Sequence, residues 1–436
     1  MSVTYDGMKF GSAAPAREAD TRRSHIRPGF KRLARIYLWI VVASGCVVYV
    51  EPAPYDALLL GAVFVLPVAG LVTLSRTLAV YLILLCGIAA GGYVAATQAG
   101  IFDVPAKHVT ITLYLALTSV VLAGFVANNP VPHARLIMSA YVAAALVASI
   151  AALIGYFNIV PSLHDILTEF GRARGTFKDP NVLGAFLVPA VLYVLNDVLT
   201  ARPARALFWS PLLAVLVLAT LLSFSRGAWI NLLVGLIVYG FFAFSLSRSN
   251  RQRIKLLFCA VLAGVVAVGA LAAVQTIPQV SERLSERASF EQSYDVGPEG
   301  RFGGQKKAAG LVAEHPLGIG ALEFSRLYHP EDVHQVYLNM YLNTGWFGGT
   351  LYLLLVAATT VLGLKFAIRD RDGRGYGAIL MAAFLGMAVE GMVVDTDHWR
   401  HFYLIVAVIW GMAAARRPDP EAHAKRKPRT GGTGAF

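Results

Sequence analysis

Charged residues are scarce in this chain. They make up 15% of its 436 residues, whereas a soluble globular domain carries roughly 25%. Hydrophobic residues make up 56% and occur in long runs rather than in alternation with polar residues. A porin-type β-barrel would show segments of roughly ten residues with alternating polarity. The sequence therefore predicts an all-α bundle of membrane-spanning helices.

Cysteine is also rare, and several common sites are missing. Cys46, Cys86 and Cys259 each lie within an apolar run, so no structural disulfide is expected. No cleavable signal peptide is visible, because the first 35 residues are polar and basic. We find no internal repeat, no glycine-rich phosphate loop and no His, Cys or Asp group with metal-ligand spacing. The sequence therefore predicts no nucleotide site, no metal and no other cofactor.

The apolar runs predict about twelve spans. They cover residues 36–50, 55–74, 77–96, 109–128, 136–157, 182–199, 206–224, 228–246, 254–274, 336–366, 378–394 and 401–415. Several are shorter than the roughly 20 residues that a span needs, so they are extended by flanking polar residues or packed inside the bundle. The 336–366 run is too long for one span, and we expect its membrane part to start near Gly348.

The basic residues give an orientation. With the N-terminus in the cytoplasm, the inward segments hold 26 of the 38 Lys and Arg, as the positive-inside rule requires. The net charge of +12 thus reflects membrane topology and does not indicate nucleic acid. We expect a cytoplasmic basic segment over 1–35, a transmembrane domain over 36–415, and a disordered basic tail over 416–436 near anionic lipid in the cytoplasm. The long outward loops 158–181 and 275–335 are where a site is expected.

Two arginines lie on the predicted outward side. FSRGAW places Arg226 in a short turn between two spans. An arginine near hydrocarbon is costly without a partner, so Arg226 either has a function or snorkels to a lipid phosphate. Arg301 is expected just before an amphipathic helix at about 304–314, where a helix N-terminus and cations would suit a phosphate. A solvated basic loop is the alternative, and we favour it for Lys306 and Lys307 taken singly.

His334 stands where the chain returns to the membrane. A histidine titrates near neutral pH and can act as a general base. Alternatively, His334 belongs to an interfacial aromatic belt with Tyr337, Tyr341 and Trp346.

The stretch GTFKDPN at 175–181 leads into the sixth span. Asn181 is expected to cap that helix, and Pro180 to fix its entry. Lys178 and Arg174 add two cations on the same outward face.

Glu390 lies inside the eleventh predicted span. An intramembrane carboxylate is expensive and usually paired, so the structural interpretation is an ion pair with Arg226 or Arg400. Further polar residues follow at the outward end of this span: Asp395, Asp397, His398 and Arg400.

Together these residues resemble the O-antigen ligase superfamily, which also includes polysaccharide polymerases and protein O-oligosaccharyltransferases. The signature is a histidine, a polar residue, nine residues, glycine, two residues and glycine. Here it reads His334-Gln335, 336–344, Gly345, Trp346-Phe347 and Gly348. Gln335 stands where many members have Asn. Gly300-Arg301 followed by EHPLGIGALEF, together with GTFKDPN and FSRGAW, resembles the other motifs of the family, in the family's order.

The resemblance implies a glycan transferase in the bacterial inner membrane with a periplasmic site. The donor would be a glycan on undecaprenyl pyrophosphate. Arg226 and Arg301 would clamp the pyrophosphate, and His334 would take the proton from the attacking hydroxyl, giving inversion without a metal. Further contacts to substrate are expected from Arg174, Lys178, Asn181, Gln335 and Tyr337.

Several alternatives stay open. We favour ligation of O-antigen to lipid A–core, but an exopolysaccharide or O-antigen polymerase is the alternative, because the motifs do not separate acceptors. A protein O-oligosaccharyltransferase is less favoured, since such members often carry more C-terminal material. A flippase for lipid-linked sugar is the alternative from another class, although the chain has no repeat and its outward cations are interfacial. The sequence specifies neither the sugar nor the oligomeric state.

Overall fold

The computed structural model describes residues 27–247, 249–274, 297–369 and 375–415. Most of the predicted N-terminal segment, the whole C-terminal tail and the first part of the 275–335 loop lie outside the described residues.

Each predicted span overlaps one long helix. These helices are α1 (Pro28–Ala43), α2 (Pro54–Val68), α3 (Arg76–Ala96), α4 (Asp103–Asn128), α5 (Pro130–Tyr156), α7 (Pro180–Thr200), α8 (Pro203–Leu222), α9 (Arg226–Ser245), α10 (Asn250–Val274), α13 (Val336–Arg369), α14 (Tyr376–Glu390) and α15 (Arg400–Ala414). Shorter elements lie between them: α6 (His164–Leu167), β1 (Thr168–Glu169), β2 (Arg172–Ala173), α11 (Arg301–Glu314), α12 (Glu323–Leu327) and two 3-10 turns at Ser44–Cys46 and Pro161–Leu163.

Among the described residues, seven helices are long and apolar enough to cross a membrane: α3, α4, α5, α7, α8, α9 and α13. The chain is therefore an all-α polytopic membrane protein, as predicted.

Proline fixes the starts of several helices. Pro28, Pro54, Pro130, Pro180 and Pro203 are each the first residue of a helix, where the missing N–H costs nothing and the fixed φ suits the helix. The predicted 36–50 span is displaced for this reason. Its helix begins at Pro28, includes several basic residues and ends at residue 43, so a search for apolar residues alone places it too late.

The two short helices α14 and α15 form the centre of the bundle. Each has 15 residues, which at 1.5 Å per residue is shorter than the hydrocarbon core. Nearly every side chain of α15 is buried, and α14 is buried along most of its length. The two helices pack against α4, α7, α9 and α13, so they are shielded by longer helices, as expected for short spans.

Helix α13 is broken at Gly345, which has φ 67° and ψ −177°. The break would leave the Leu342 carbonyl and the Trp346 N–H without their helical partner. The preceding loop supplies both: Ile319 N–H donates to Leu342 O at 2.8 Å, and Trp346 N–H donates to Pro316 O at 2.8 Å. The break lies three residues before Gly348, where we predicted the membrane part to begin.

Residues 297–335 form a cap on the first turns of α13. A small hydrophobic cluster, separate from the main core, holds the cap together: Ala308, Leu311, Ile319, Phe324, Val333 and Leu342. The cap, the 157–179 loop, the 223–225 turn and the 391–399 segment meet at one end of the bundle, which we call the site end. The 201–202 and 246–247 connections lie at the other end.

Candidate functional site

Backbone strain is concentrated at the site end. The non-glycine residues with positive φ in the described part of the chain are Asn158, Phe170, Phe224, Leu322 and His334, and all of them lie there. Such conformations cost about 1–3 kcal/mol each and persist only where the surroundings impose them. Phe224, Leu322 and His334 fall within three of the four motifs, so these motifs encode a specific backbone shape as well as side chains.

Arg226 is the first residue of α9. A turn of only three residues, 223–225, separates α8 from α9. Ser225 caps α9, because its hydroxyl accepts from Ala228 N–H at 3.2 Å, and Phe224 is buried beneath the turn. Arg226 is half-buried and has contacts of its own within the protein. The bundle thus holds this arginine at the site end.

A buried arginine that sequence reasoning missed fixes this turn. Arg172, on β2, is 9% exposed. Its Nε donates to Ser223 O at 2.8 Å and its Nη2 to Asn181 Oδ1 at 2.7 Å. Arg172 therefore ties the turn before Arg226 to the start of α7.

Arg301 is the first residue of α11, so the predicted helix is present and begins three residues earlier than expected. Its Nε is buried and has no hydrogen-bond partner in the described part of the chain. Trp346 Nε1–H donates to Val312 O at 2.7 Å and holds α11 on α13. Lys307 donates to Tyr328 O within the cap, so its charge is engaged locally.

His334 precedes α13 in a left-handed conformation, with φ 49°. Its side chain is 35% exposed, so a substrate can reach the ring. Burial lowers the pKa of His334, and the nearby Arg301 guanidinium lowers it further. Glu331, with Oε2 3.7 Å from His334 Nε2, and Asp179 act in the opposite direction. A lowered pKa keeps the imidazole neutral near pH 7, which is the form that accepts a proton.

Asp395 supports His334 from the other side. Hydrogen bonding to the His334 backbone and to the Asn339 side chain lowers the pKa of Asp395, while its Oδ1 has no hydrogen-bond partner in the described residues. Burial raises the pKa of Asp395 to about 8, and repulsion from Asp397 and Asp332 adds to this effect. Sequence reasoning noted Asp395 as polar but did not connect it with His334.

The end of α14 supports both motif helices. Val336 N–H donates to Gly391 O at 2.9 Å, and the Tyr337 hydroxyl donates to Ala388 O at 2.6 Å. On the α9 side, a Cβ atom added to Gly227 would lie 3.0 Å from Glu390 Oε1. The starts of α9 and α13 therefore flank the same few residues.

The expected ion pair of Glu390 with Arg226 or Arg400 is not found in the described part of the chain. Glu390 Oε2 accepts from Asn231 Nδ2 at 2.7 Å, whereas Arg400 donates to Asp56 at 2.8 and 2.6 Å. The prediction was wrong because an amide on a neighbouring helix, rather than an arginine, bonds one oxygen of this fully buried carboxylate, while Glu390 Oε1 has no hydrogen-bond partner in the described residues.

Asp179, not Asn181, caps α7. Asp179 Oδ1 accepts from Asn181 N–H at 2.7 Å, while Asn181 Oδ1 accepts from Arg172. Since Pro180 takes the first helical position, the capping residue has to precede it. Pro180 thus fixes the entry as predicted, but the cap was misplaced by two residues.

The other predicted substrate contacts differ in availability. Arg174 donates to Asp165 O and Ile166 O, both at 3.1 Å, and lies over the Tyr49 ring. Lys178 Nζ lies 3.1 Å from Glu51 Oε2 and its side chain is 50% exposed. Gln335 Oε1 is buried without a hydrogen-bond partner in the described residues. Arg174 and Tyr337 are thus committed to the fold, whereas Lys178 and Gln335 have capacity to bind another group.

The site end therefore brings Arg301, His334 and Asp179 into one electrostatic environment, and Arg172 ties Asn181 to the turn that carries Arg226. A half-buried histidine held neutral beside a guanidinium can accept a proton next to a bound anion.

Residues 211–353 match the family model described as O-antigen ligase. The match covers about a third of the chain, from α8 to the middle of α13, and includes Arg226, Arg301 and His334. It confirms the resemblance to the O-antigen ligase superfamily and supports a function of the O-antigen ligase or polymerase kind. A search of curated proteins finds no match.

Proposed function

We propose that this protein transfers a glycan from undecaprenyl pyrophosphate to a hydroxyl acceptor at the periplasmic face of the bacterial inner membrane. The acceptor we favour is the lipid A–core sugar, which makes the reaction O-antigen ligation. The observation that carries the proposal is the joint environment of Arg301 and His334 within a segment that matches the O-antigen ligase family.

The reaction balances with groups that the chain supplies. The acceptor oxygen attacks the anomeric carbon, and the bond from that carbon to the pyrophosphate oxygen breaks. The electron pair stays on the pyrophosphate, and His334 takes the acceptor's proton. Arg226 and Arg301 neutralise the charge that develops on the leaving group, since a guanidinium stays charged and presents several donors to phosphate. Attack opposite the leaving group inverts the anomeric centre.

Lys178 and Gln335 are the further substrate contacts that we favour. Lys178 has an exposed ammonium at the edge of the 157–179 loop, and Gln335 Oε1, beside His334, has no hydrogen-bond partner among the described residues. Asn181 shapes the site through its hydrogen bond with Arg172, and Tyr337 does so through its hydrogen bond with the Ala388 carbonyl of α14. We assign Arg174 to the loop's own structure, because its donors are used there.

The decisive experiment is deletion of the gene in the source organism, with analysis of lipopolysaccharide by gel and assay of secreted polysaccharide. Ligation predicts lipid A–core without polymer and long glycan retained on the lipid carrier. A core carrying a single repeat, or normal lipopolysaccharide with secreted polysaccharide lost, would assign a polymerase instead. Donor glycan that accumulates on the cytoplasmic face would assign a flippase.

Orientation and metal-independence have separate tests. A reporter fused after Lys427 is expected to read cytoplasmic, and a periplasmic signal would overturn the assignment of the site end to the periplasm. Transfer at 25 °C by membranes treated with EDTA is expected to equal that of untreated membranes. Loss of transfer that Mg²⁺ restores would show that an ion, rather than the arginines alone, neutralises the pyrophosphate.

A further inference from the structure

Three metal-ligating side chains meet at the site end, outside the group that we assign to transfer. His108 lies on the second turn of α4, and Asp397 and His398 lie in the 391–399 segment. One ligand atom from each lies within 4.8 Å of the others. His108 Nε2 is 3.2 Å from Asp397 Oδ2, and the two imidazole rings lie 3.8 Å apart.

These distances are close to those of a coordination shell. Zinc bonds of about 2.0–2.2 Å to nitrogen and oxygen place neighbouring ligand atoms about 3.3 Å apart in a tetrahedral site. The His108–Asp397 pair already has this spacing. A pair at the full 4.8 Å would have to close by about 1.5 Å to reach this spacing, which requires a side-chain rotation.

Thr112 joins the two histidines. Its hydroxyl is 3.2 Å from the His108 carbonyl oxygen and 2.7 Å from His398 Nε2. When the hydroxyl donates to that carbonyl, it accepts from His398 Nε2–H, and His398 Nδ1 keeps its lone pair for a ligand. Hydrogen bonds of this kind orient metal-binding histidines in known sites.

Of the neighbouring charges, the guanidinium of Arg400 acts against a cation at His398. Arg400 is the nearest guanidinium along the chain, but it is paired with Asp56 at 2.8 and 2.6 Å. Two imidazoles and one carboxylate favour zinc and similar borderline ions over Mg²⁺ or Ca²⁺, which prefer oxygen ligands alone.

We propose that His108, Asp397 and His398 form a structural site for a divalent transition-metal ion of the zinc class. The ion would join α4 to the 391–399 segment, which follows α14 and carries Asp395. This departs from the expectation that the chain binds no metal. That expectation rested on sequence spacing, and His108 is separated from Asp397 by 289 residues. The proposed ion is independent of the transfer step.

The test uses the full-length protein purified in detergent, without a histidine tag. Metal content is measured by mass spectrometry, and Co²⁺ is added to chelator-treated protein as a spectroscopic probe. We expect about one zinc per chain and visible Co²⁺ absorption of a low-symmetry site. At about a hundredfold excess of Zn²⁺ over Kd, we expect Tm to rise by about 3–5 °C, while transfer at 25 °C stays unchanged.

Two variants and a control separate a metal site from a hydrogen-bonded cluster. Asp397→Asn keeps an oxygen for His108 but removes the charged ligand, and His398→Ala removes a ligand outright. Both are expected to lose bound zinc and the Tm rise. His164→Ala changes a histidine at the same end whose ring hydrogen-bonds to the Gly155 carbonyl, and it should retain both. Wild-type protein that contains no zinc and shows no Co²⁺ absorption would overturn the proposal, as would equal zinc content in Asp397→Asn.

Discussion

Arg226 and Arg301 are held at the site end by different parts of the structure. Arg226 starts a long apolar helix, and its turn is held by the neighbouring helices and by the buried Arg172. Arg301 starts a helix of a separate cap, which has its own small hydrophobic cluster and rests on the broken part of α13. The proposed site thus combines a cation fixed by the bundle with a cation fixed by the cap. The two should respond differently to mutation.

The largest effects are expected where the side chains themselves are removed. Arg226→Ala, Arg301→Ala and His334→Ala should each reduce transfer by about 10²–10⁴-fold, as loss of a charge-stabilising group or a general base does. Membrane insertion should be normal. Lys306→Ala is the matched control, because it removes an exposed cation from the same cap. Transfer close to wild type in His334→Ala membranes would refute the assignment of the base.

The cap can be disturbed without touching a charged residue. Gly345→Ala places a Cβ atom 2.8 Å from the Leu317 backbone at a φ of +67°, so we expect a loss of about 2–4 kcal/mol in stability. Trypsin cleavage at Arg326 should increase and transfer should fall. Gly240→Ala is the control, since nothing lies within 4 Å of its added Cβ. Unchanged cleavage in Gly345→Ala would show that the break does not hold the cap.

The support of Arg226 is tested by two arginines from the same loop. Arg172→Gln loses the hydrogen bonds to Ser223 and Asn181, and the resulting misplacement of the turn should lower kcat by about 10- to 10²-fold. Arg174→Gln lies outside that chain of contacts and should have a smaller effect. A larger loss in Arg174→Gln than in Arg172→Gln would indicate that Arg174 contacts the substrate and that Arg172 does not support the turn.

The smallest effect concerns the pH profile. The pKa of His334 is lowered by burial and by Arg301, so transfer should rise with pH through a midpoint below the ordinary value of 6.5. Glu331→Gln removes a group that raises this pKa. The acidic limb of kcat/KM against pH should therefore move to lower pH. A shift towards higher pH would mean that Glu331 does not act on the titrating group.

The helices of the bundle could be predicted from sequence because a helix that lies in lipid has to be a long run of apolar residues. The ends of helices depend on local backbone chemistry instead. Pro28 and Asp179 each set a boundary or a cap, and neither is conspicuous in a hydropathy pattern. The length of the 336–366 segment partly anticipated the break at Gly345. The position of the break depends on contact with the 316–319 loop, which a hydropathy pattern does not indicate.

The candidate site could be predicted where a charged or titratable residue lies among apolar residues. Arg226, Arg301 and His334 stand out against apolar surroundings, and the motifs connect them. Arg172 did not stand out from Arg174, since only the turn of the β1–β2 hairpin decides which of the two is buried. The partners of Glu390, Asp395 and His108 could not be predicted, because they come from helices far away in the chain.

The exchanged hydrogen bonds at the break of α13 have a consequence for assembly in the membrane. Until the 316–319 loop arrives, a break at Gly345 would expose the Leu342 carbonyl and the Trp346 N–H at the edge of the lipid, where each unsatisfied group costs several kcal/mol. The nascent helix is therefore most stable when straight and bends only as the loop docks. We therefore expect the break in α13 to form together with the docking of the cap.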